Sequence, residues 1–134
     1  MNSKLLASAG VLSACLVVFL PGAAFAQSDA YARLLNGDCG GSYGSAWAYF
    51  RAQGEVFSAY DNCQDNHSAV TEWKVGSGGT VNKLWDHSGA GGGDEATLNA
   101  TITDGQTVYI KACIGEYSTK AIIQCTTNWA DGVA

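Results

Sequence analysis

Residues Gly54–Val75 read GEVFSAYDNCQDNHSAVTEWKV. Two alternating runs, Glu55–Tyr60 and His67–Val75, flank the polar loop Asp61-Asn62-Cys63-Gln64-Asp65-Asn66. Period-two alternation of apolar and polar residues marks half-buried strands, and a cluster of Asp and Asn between them marks a turn. The stretch therefore predicts a β-hairpin carrying a cysteine in its loop. In the second run Ala69, Thr71, Trp73 and Val75 share one face, against Ser68, Val70, Glu72 and Lys74.

Upstream, Ser45–Ala52 alternates Ala46, Ala48 and Phe50 with Trp47, Tyr49 and Arg51, and Gln53-Gly54 supplies a tight turn. Gln27–Gly44 holds one short apolar patch, Tyr31–Leu35, and is expected to be an irregular lead-in with at most a helical turn. Downstream, Gly76-Ser77-Gly78-Gly79 turns into Thr80–His87, whose ambiguous pattern suits an edge strand. A glycine loop, Ser88–Asp94, leads to Glu95–Thr103, with Ala96, Leu98, Ala100 and Ile102 expected inward. Asp104-Gly105 then predicts a hairpin with Gln106–Ile114, because Asp-Gly suits the tight turns that match strand twist. After a loop over Gly115–Lys120 the last strand is Ala121–Trp129, and Asp131–Ala134 is expected to fray. About seven short strands with glycine turns and single-face burial predict an all-β fold, a single antiparallel β-sandwich of immunoglobulin-like size over 45–134.

The first 26 residues read as a separate, cleaved signal peptide. Lys4 precedes the uncharged apolar run Leu5–Leu20, and Ala24-Phe25-Ala26 is a small-x-small sequence before Gln27. Leu12-Ser13-Ala14-Cys15 also resembles a lipobox, which would tether the chain by lipidation of Cys15. Cleavage before Gln27 leaves a mature chain of 108 residues with six Lys/Arg and twelve Asp/Glu. That acidity disfavours nucleic acid and anionic membrane surfaces as partners, and one domain of this size is expected to be a monomer.

Four cysteines then remain, Cys39, Cys63, Cys113 and Cys125. An even number in a small exported domain implies disulfides, and four cysteines allow three pairings. The sequential pattern, Cys39–Cys63 and Cys113–Cys125, is favoured: it ties the lead-in to the loop and joins two late strands. Zinc ligation is disfavoured because no two cysteines are spaced as a ligand knuckle.

Chemistry-bearing residues are few. Asp61, Asp65 and His67 offer two carboxylates and an imidazole, but the D-x-D-x-D-G calcium spacing is missing and a turn explains them. Asp86-His87-Ser88 could supply parts of a Ser–His–Asp relay, yet no G-x-S-x-G elbow accompanies it. The glycines of 89–93 lack the ending of a phosphate loop. Asn66-His67-Ser68 and Asn99-Ala100-Thr101 match the glycosylation sequon. Of the tryptophans, Trp73 and Trp129 fall on faces expected inward, whereas Trp47, Tyr49 and Arg51 share a face that could be an exposed aromatic strip.

The run Gly54-Glu55-Val56-Phe57, then Asp61, Asp65 and His67-Ser68-Ala69-Val70, then Asp104-Gly105-Gln106-Thr107-Val108-Tyr109, Cys113 and Cys125…Trp129…Gly132…Ala134, resembles small exported proteins of actinomycetes. The resemblance covers about the last eighty residues and implies structural motifs with no assigned activity. Many members of that group place a cysteine just before the first Asp, where this chain has Tyr60.

These readings converge on a secreted, extracellular, disulfide-braced sandwich that acts by binding, with no catalytic residue, cofactor or metal. Its partner is expected to be an extracellular protein or a carbohydrate. Candidate contact residues are Trp47, Tyr49, Arg51, Asp61, Asp65 and His67. The alternatives are an inhibitor of a secreted hydrolase, a sugar-binding module and, less favoured, a small hydrolase using His67 or His87 with Asp61, Asp65 or Asp86.

Overall fold

The computed structural model describes residues 25–35, 39, 45–90 and 94–134. Nearly all of the expected signal peptide, including Cys15, lies outside these residues, as does most of 36–44. The described chain is all-β: nine strands in two antiparallel sheets packed face to face. One sheet runs β1 (Ala30–Leu34), β2 (Ala46–Arg51), β3 (Val56–Asp61), β6 (Ala96–Asn99). The other runs β5 (Asn82–Asp86), β4 (Ser68–Val75), β7 (Thr107–Glu116), β8 (Ala121–Cys125), with β9 (Ala130–Val133) also paired to β7. The edge position expected for Thr80–His87 is occupied by β5.

The alternating residues fill the space between the sheets. Phe50 and Phe57 pack with ring centroids 5.0 Å apart, and Phe57 stacks on Trp73 at 4.2 Å, joining the two sheets. Ala46, Ala48, Val108, Ile110, Ala112 and Ile114 complete the core, all buried. The small Ala side chains of β2 let the sheets approach while the rings supply the buried apolar area that drives packing.

Two local readings change. The stretch 54–75 is not a hairpin: β3 and β4 belong to different sheets, and the loop after Asp61 carries the chain across the core. The two runs face each other rather than pair edge to edge, and Thr71 Oγ1 donates to the Ser58 carbonyl at 2.7 Å. Asp104-Gly105 is a turn, with Gly105 in the left-handed region, but it too passes between sheets, since β6 pairs with β3 and β7 with β4. A turn signal fixes a reversal of direction; burial of both flanking runs decides which neighbours they take.

The ends are also more ordered than expected. Tyr31–Leu35 is no helical turn; Ala30–Leu34 alternates buried Ala30, Ala32 and Leu34 with exposed Tyr31 and Arg33, and pairs with β2. The expected final strand Ala121–Trp129 ends at Cys125 as β8, and the C-terminus does not fray: Ala130–Val133 forms β9 and Ala134 is fully buried. Ser28 and Val133 exchange two backbone bonds of 2.9 Å, which close the sandwich along that side. Gly132 permits this approach, since a Cβ there would meet the Ser28 carbonyl oxygen at 2.5 Å.

Both disulfides follow the sequential pattern. Cys113 and Cys125 are direct cross-strand partners on β7 and β8, and Cys39 bridges to Cys63 in the loop after β3. Two disulfides fit an oxidising compartment. Among the described residues no helix is long and apolar enough to cross a membrane.

Candidate functional site: an aromatic sheet face and a polar end

The alternation that buries Ala46, Ala48 and Phe50 turns Trp47, Tyr49 and Arg51 to the outer face of the four-stranded sheet. Register then adds neighbours. Tyr31 of β1 lies opposite Tyr49, and Tyr60 of β3 lies opposite Trp47. Tyr31 and Tyr49 stack with centroids 4.8 Å apart; Trp47 and Tyr60 are 5.4 Å apart, and Trp47 meets Tyr49 edge-on at 6.3 Å. Tyr31 is 47 % exposed. Burial among these rings, followed by the Tyr31 hydroxyl beside it, raises the Tyr49 hydroxyl above the usual tyrosine pKa.

Arg51 organises the polar border of this face. Its guanidinium donates to Glu95 Oε1 and to Ser58 Oγ, both at 3.0 Å, and lies 5.9 Å from the Tyr49 ring centre. The arginine side chain is 46 % exposed, so the ion pair adds little stability; it fixes the orientation of a planar donor. Next to Arg51 along the chain, the Ala52 amide donates to Asp29 Oδ1 at 2.8 Å. Rings and borders enclose a depression of about 560 Å³, within the size range of small-molecule sites.

The sequence pointed to Trp47, Tyr49 and Arg51; it missed Tyr31, Tyr60 and Glu95. The alternation of Ala30, Ala32 and Leu34 with Tyr31 and Arg33 was the available signal for β1. Of the tryptophans, Trp73 is in the core contact layer as expected. Trp129 is not: its ring lies 4.8 Å from Lys74 Nζ and 5.2 Å from Lys111 Nζ, a cation–π setting on the outer side of the second sheet.

Asp61, Asp65 and His67 lie elsewhere, at the end of the sandwich where the chain crosses between sheets. Asp61 is 4 % exposed. Its Oδ1 accepts from the Cys63 amide at 3.0 Å, and Asp65 Oδ1 accepts from the His67 amide at 2.9 Å, the self-satisfying turn bonds expected of such loops. Asp86, also buried, accepts from the Asp61 amide at 2.8 Å and from the Ser88 hydroxyl at 2.6 Å. Burial, then the neighbouring Asp65 and Asp86 carboxylates, push the Asp61 carboxyl up to about 6, against the opposing effect of the Cys63 amide. A second depression, about 420 Å³, borders Asp61, Gln64, Asn66 and His67.

Both histidines sit at this end, yet no relay assembles among the described residues. His67 Nδ1 is 2.7 Å from Glu116 Oε1. His87 Nδ1 is 3.1 Å from Ser68 Oγ, and its ring stacks on Tyr117 at 4.2 Å. A hydrolytic relay needs one imidazole between a nucleophile and a carboxylate; here each histidine has one of the two. Ser88 gives its proton to Asp86 rather than to a histidine. Ser68, the serine His87 does meet, is only 5 % exposed. Two groups of three His, Cys, Asp or Glu ligand atoms fall within 4.8 Å of one another, Cys39–Cys63–Asp65 and Glu72–Cys113–Cys125. Each contains both sulfurs of a disulfide, which are not thiolate ligands.

Comparison with family models, with curated proteins and with solved structures gives no match.

Proposed function

We propose that this chain is a secreted, non-catalytic binding protein and that its ligand sits on the outer aromatic face of the four-stranded sheet. The observation that carries the reading is the convergence of Tyr31, Trp47, Tyr49 and Tyr60 on one depression bordered by Arg51, Glu95 and Asp29. Rings offer faces and edges to C–H surfaces, while planar charged groups at the border pair with vicinal hydroxyls. Arg51 and Glu95 neutralise each other, which suits an uncharged ligand. A soluble oligosaccharide meets these requirements. The rings do not form a flat coplanar row, because Tyr31 and Tyr49 stack on each other and Trp47 stands edge-on to Tyr49. A short chain segment in the depression therefore fits better than a crystalline polysaccharide surface.

A protein partner is the second reading, favoured by the residue types themselves: Trp, Tyr and Arg are the side chains that anchor protein interfaces. This version includes inhibition of a secreted hydrolase. The resemblance to exported actinomycete proteins accords with either version.

Calorimetric titration with soluble tetrasaccharides of the chitin, cellulose, xylan and starch series tests the first reading. Binding by the wild type that weakens roughly 30-fold in Tyr49→Ala, the effect of a contact worth about 2 kcal/mol, is expected. Binding that Tyr49→Ala and Trp47→Ala leave unchanged contradicts the assignment of the face. Silence with all four sugars, with a culture-medium protein retained by the wild type and released by both variants, moves the assignment to the second reading.

A further inference from the structure

The net acidity of the chain is not evenly spread. Every lysine among the described residues, Lys74, Lys83, Lys111 and Lys120, belongs to the five-stranded sheet or to its β7–β8 turn. Both arginines, Arg33 and Arg51, belong to the other sheet. Alternation then sets the side. Thr71 and Trp73 of β4 and Ile110 and Ala112 of β7 face the core, which turns Glu72, Lys74, Tyr109 and Lys111 outward. Register puts Lys83 and Lys111 on either side of Glu72, roughly 10 Å apart across two strand spacings. Lys74 lies beside Tyr109, and Lys120 Nζ is 5.1 Å from the ring of Trp85, two residues on from Lys83. Against four lysines this face carries Glu72, which pairs with Lys83 at 3.8 Å, and Asp131, opposite Tyr109 on β9.

These ammonium groups are held on rings rather than on carboxylates. Lys74 Nζ and Lys111 Nζ lie 4.8 and 5.2 Å from the centre of the same Trp129 ring, and Lys74 Nζ lies 5.4 Å from that of Tyr109. Among the described residues no carboxylate is ion-paired with Lys74, Lys111 or Lys120, in a chain with twelve acidic side chains against seven basic ones. Two like charges gathered at one ring repel each other, and an anion beside them relieves that repulsion. We propose that the outer face of the five-stranded sheet binds an acidic polysaccharide, a polyuronate. Lys74, Lys83 and Lys111 pair with its carboxylates, and Trp129 and Tyr109 meet its C–H faces. Lysine is a point charge on a flexible stem, without the fork of arginine, and so suits carboxylates spaced along a polymer. Nucleic acid or an anionic bilayer would set a far denser negative charge against the acidic remainder of the domain. The face lies across the sandwich from the Tyr49 depression and does not depend on what that depression binds.

Calorimetric titration of the mature chain with a galacturonic acid octamer in 50 mM sodium chloride tests this. Saturable binding is expected, weakening several-fold in 200 mM salt because contacts between exposed charges are screened. Lys74→Gln combined with Lys111→Gln weakens it about tenfold. Arg33→Gln removes a positive charge from an exposed position on the other sheet and keeps the wild-type affinity. Absence of binding by the wild type overturns the proposal. So does an equal loss in Arg33→Gln, which reports net charge alone. Binding that the lysine variant retains and Tyr49→Ala loses overturns it too, by placing the acidic sugar in the aromatic depression. Tighter binding of a single-stranded DNA octamer or of phosphatidylglycerol vesicles overturns the assignment to a polysaccharide.

Discussion

Asp61 gives the sharpest stability prediction. Its carboxyl is buried and its pKa stands at about 6, against 3.8 for the ordinary side chain. A raised carboxyl means that the folded state holds its proton more tightly than the unfolded state. Between these two values the folded protein binds more protons, so stability falls as pH rises through that window and levels off above it. The displacement corresponds to about 3 kcal/mol in full, of which roughly half is lost between pH 5 and pH 7.5. Asp61→Asn removes the titration while keeping an oxygen for the Cys63 amide, and its amide nitrogen can face the Asp65 carboxylate. Urea unfolding of both proteins across this pH range checks this. The wild type should lose stability relative to Asp61→Asn across that range, and the variant should be the more stable protein at pH 7.5. Parallel curves for the two proteins, or a wild type that gains on the variant as pH rises, would refute the argument from burial.

Three further outcomes follow from the packing. Replacing Cys113 and Cys125 together by Ala opens the β7–β8 staple and should cost about 3 kcal/mol, read as a lower urea midpoint with the fold retained. Gly132→Ala forces a Cβ against the Ser28 carbonyl and should cost about 2 kcal/mol, with the amide of Val133 losing its hydrogen-exchange protection first. His87→Ala breaks the contacts to Ser68 and Tyr117 but touches no ligand ring, so sugar binding should survive it unchanged in the same calorimetric titration.

The sandwich was legible because alternation is a local property. Ala46, Ala48 and Phe50 against Trp47, Tyr49 and Arg51 fixes both the core side and the open side of β2 before any pairing is known. Pairing itself is not local. Asp104-Gly105 and the 61–66 loop carry ordinary turn chemistry, and nothing in them distinguishes a hairpin from a crossing between sheets; the facing of Phe57 on Trp73 decides that. The Gly54-Glu55 pair illustrates the same limit. Glu55 sits in the left-handed region, and its carboxylate and carbonyl accept the amides of Ile102 and Ala100, fastening the chain beyond β6 from more than forty residues away. The aromatic site was half visible for the same reason. Trp47 and Tyr49 come from one strand, whereas Tyr31, Tyr60 and Glu95 arrive through the β1, β3 and β6 neighbours. At the polar end the turn bonds of Asp61 and Asp65 could be read from residue type; the burial of Asp61 beside Asp86 could not, since it depends on what the sheets bring near.

The account turns on where the ligand meets the domain, and backbone and indole NMR shifts recorded during titration with the four soluble tetrasaccharides locate that contact. Perturbations clustered on Tyr31, Trp47, Tyr49, Arg51 and Tyr60 are the result predicted. Perturbations clustered instead on Ser68, Asp86 and His87 would contradict a non-catalytic aromatic face and return the polar end to consideration as the working site.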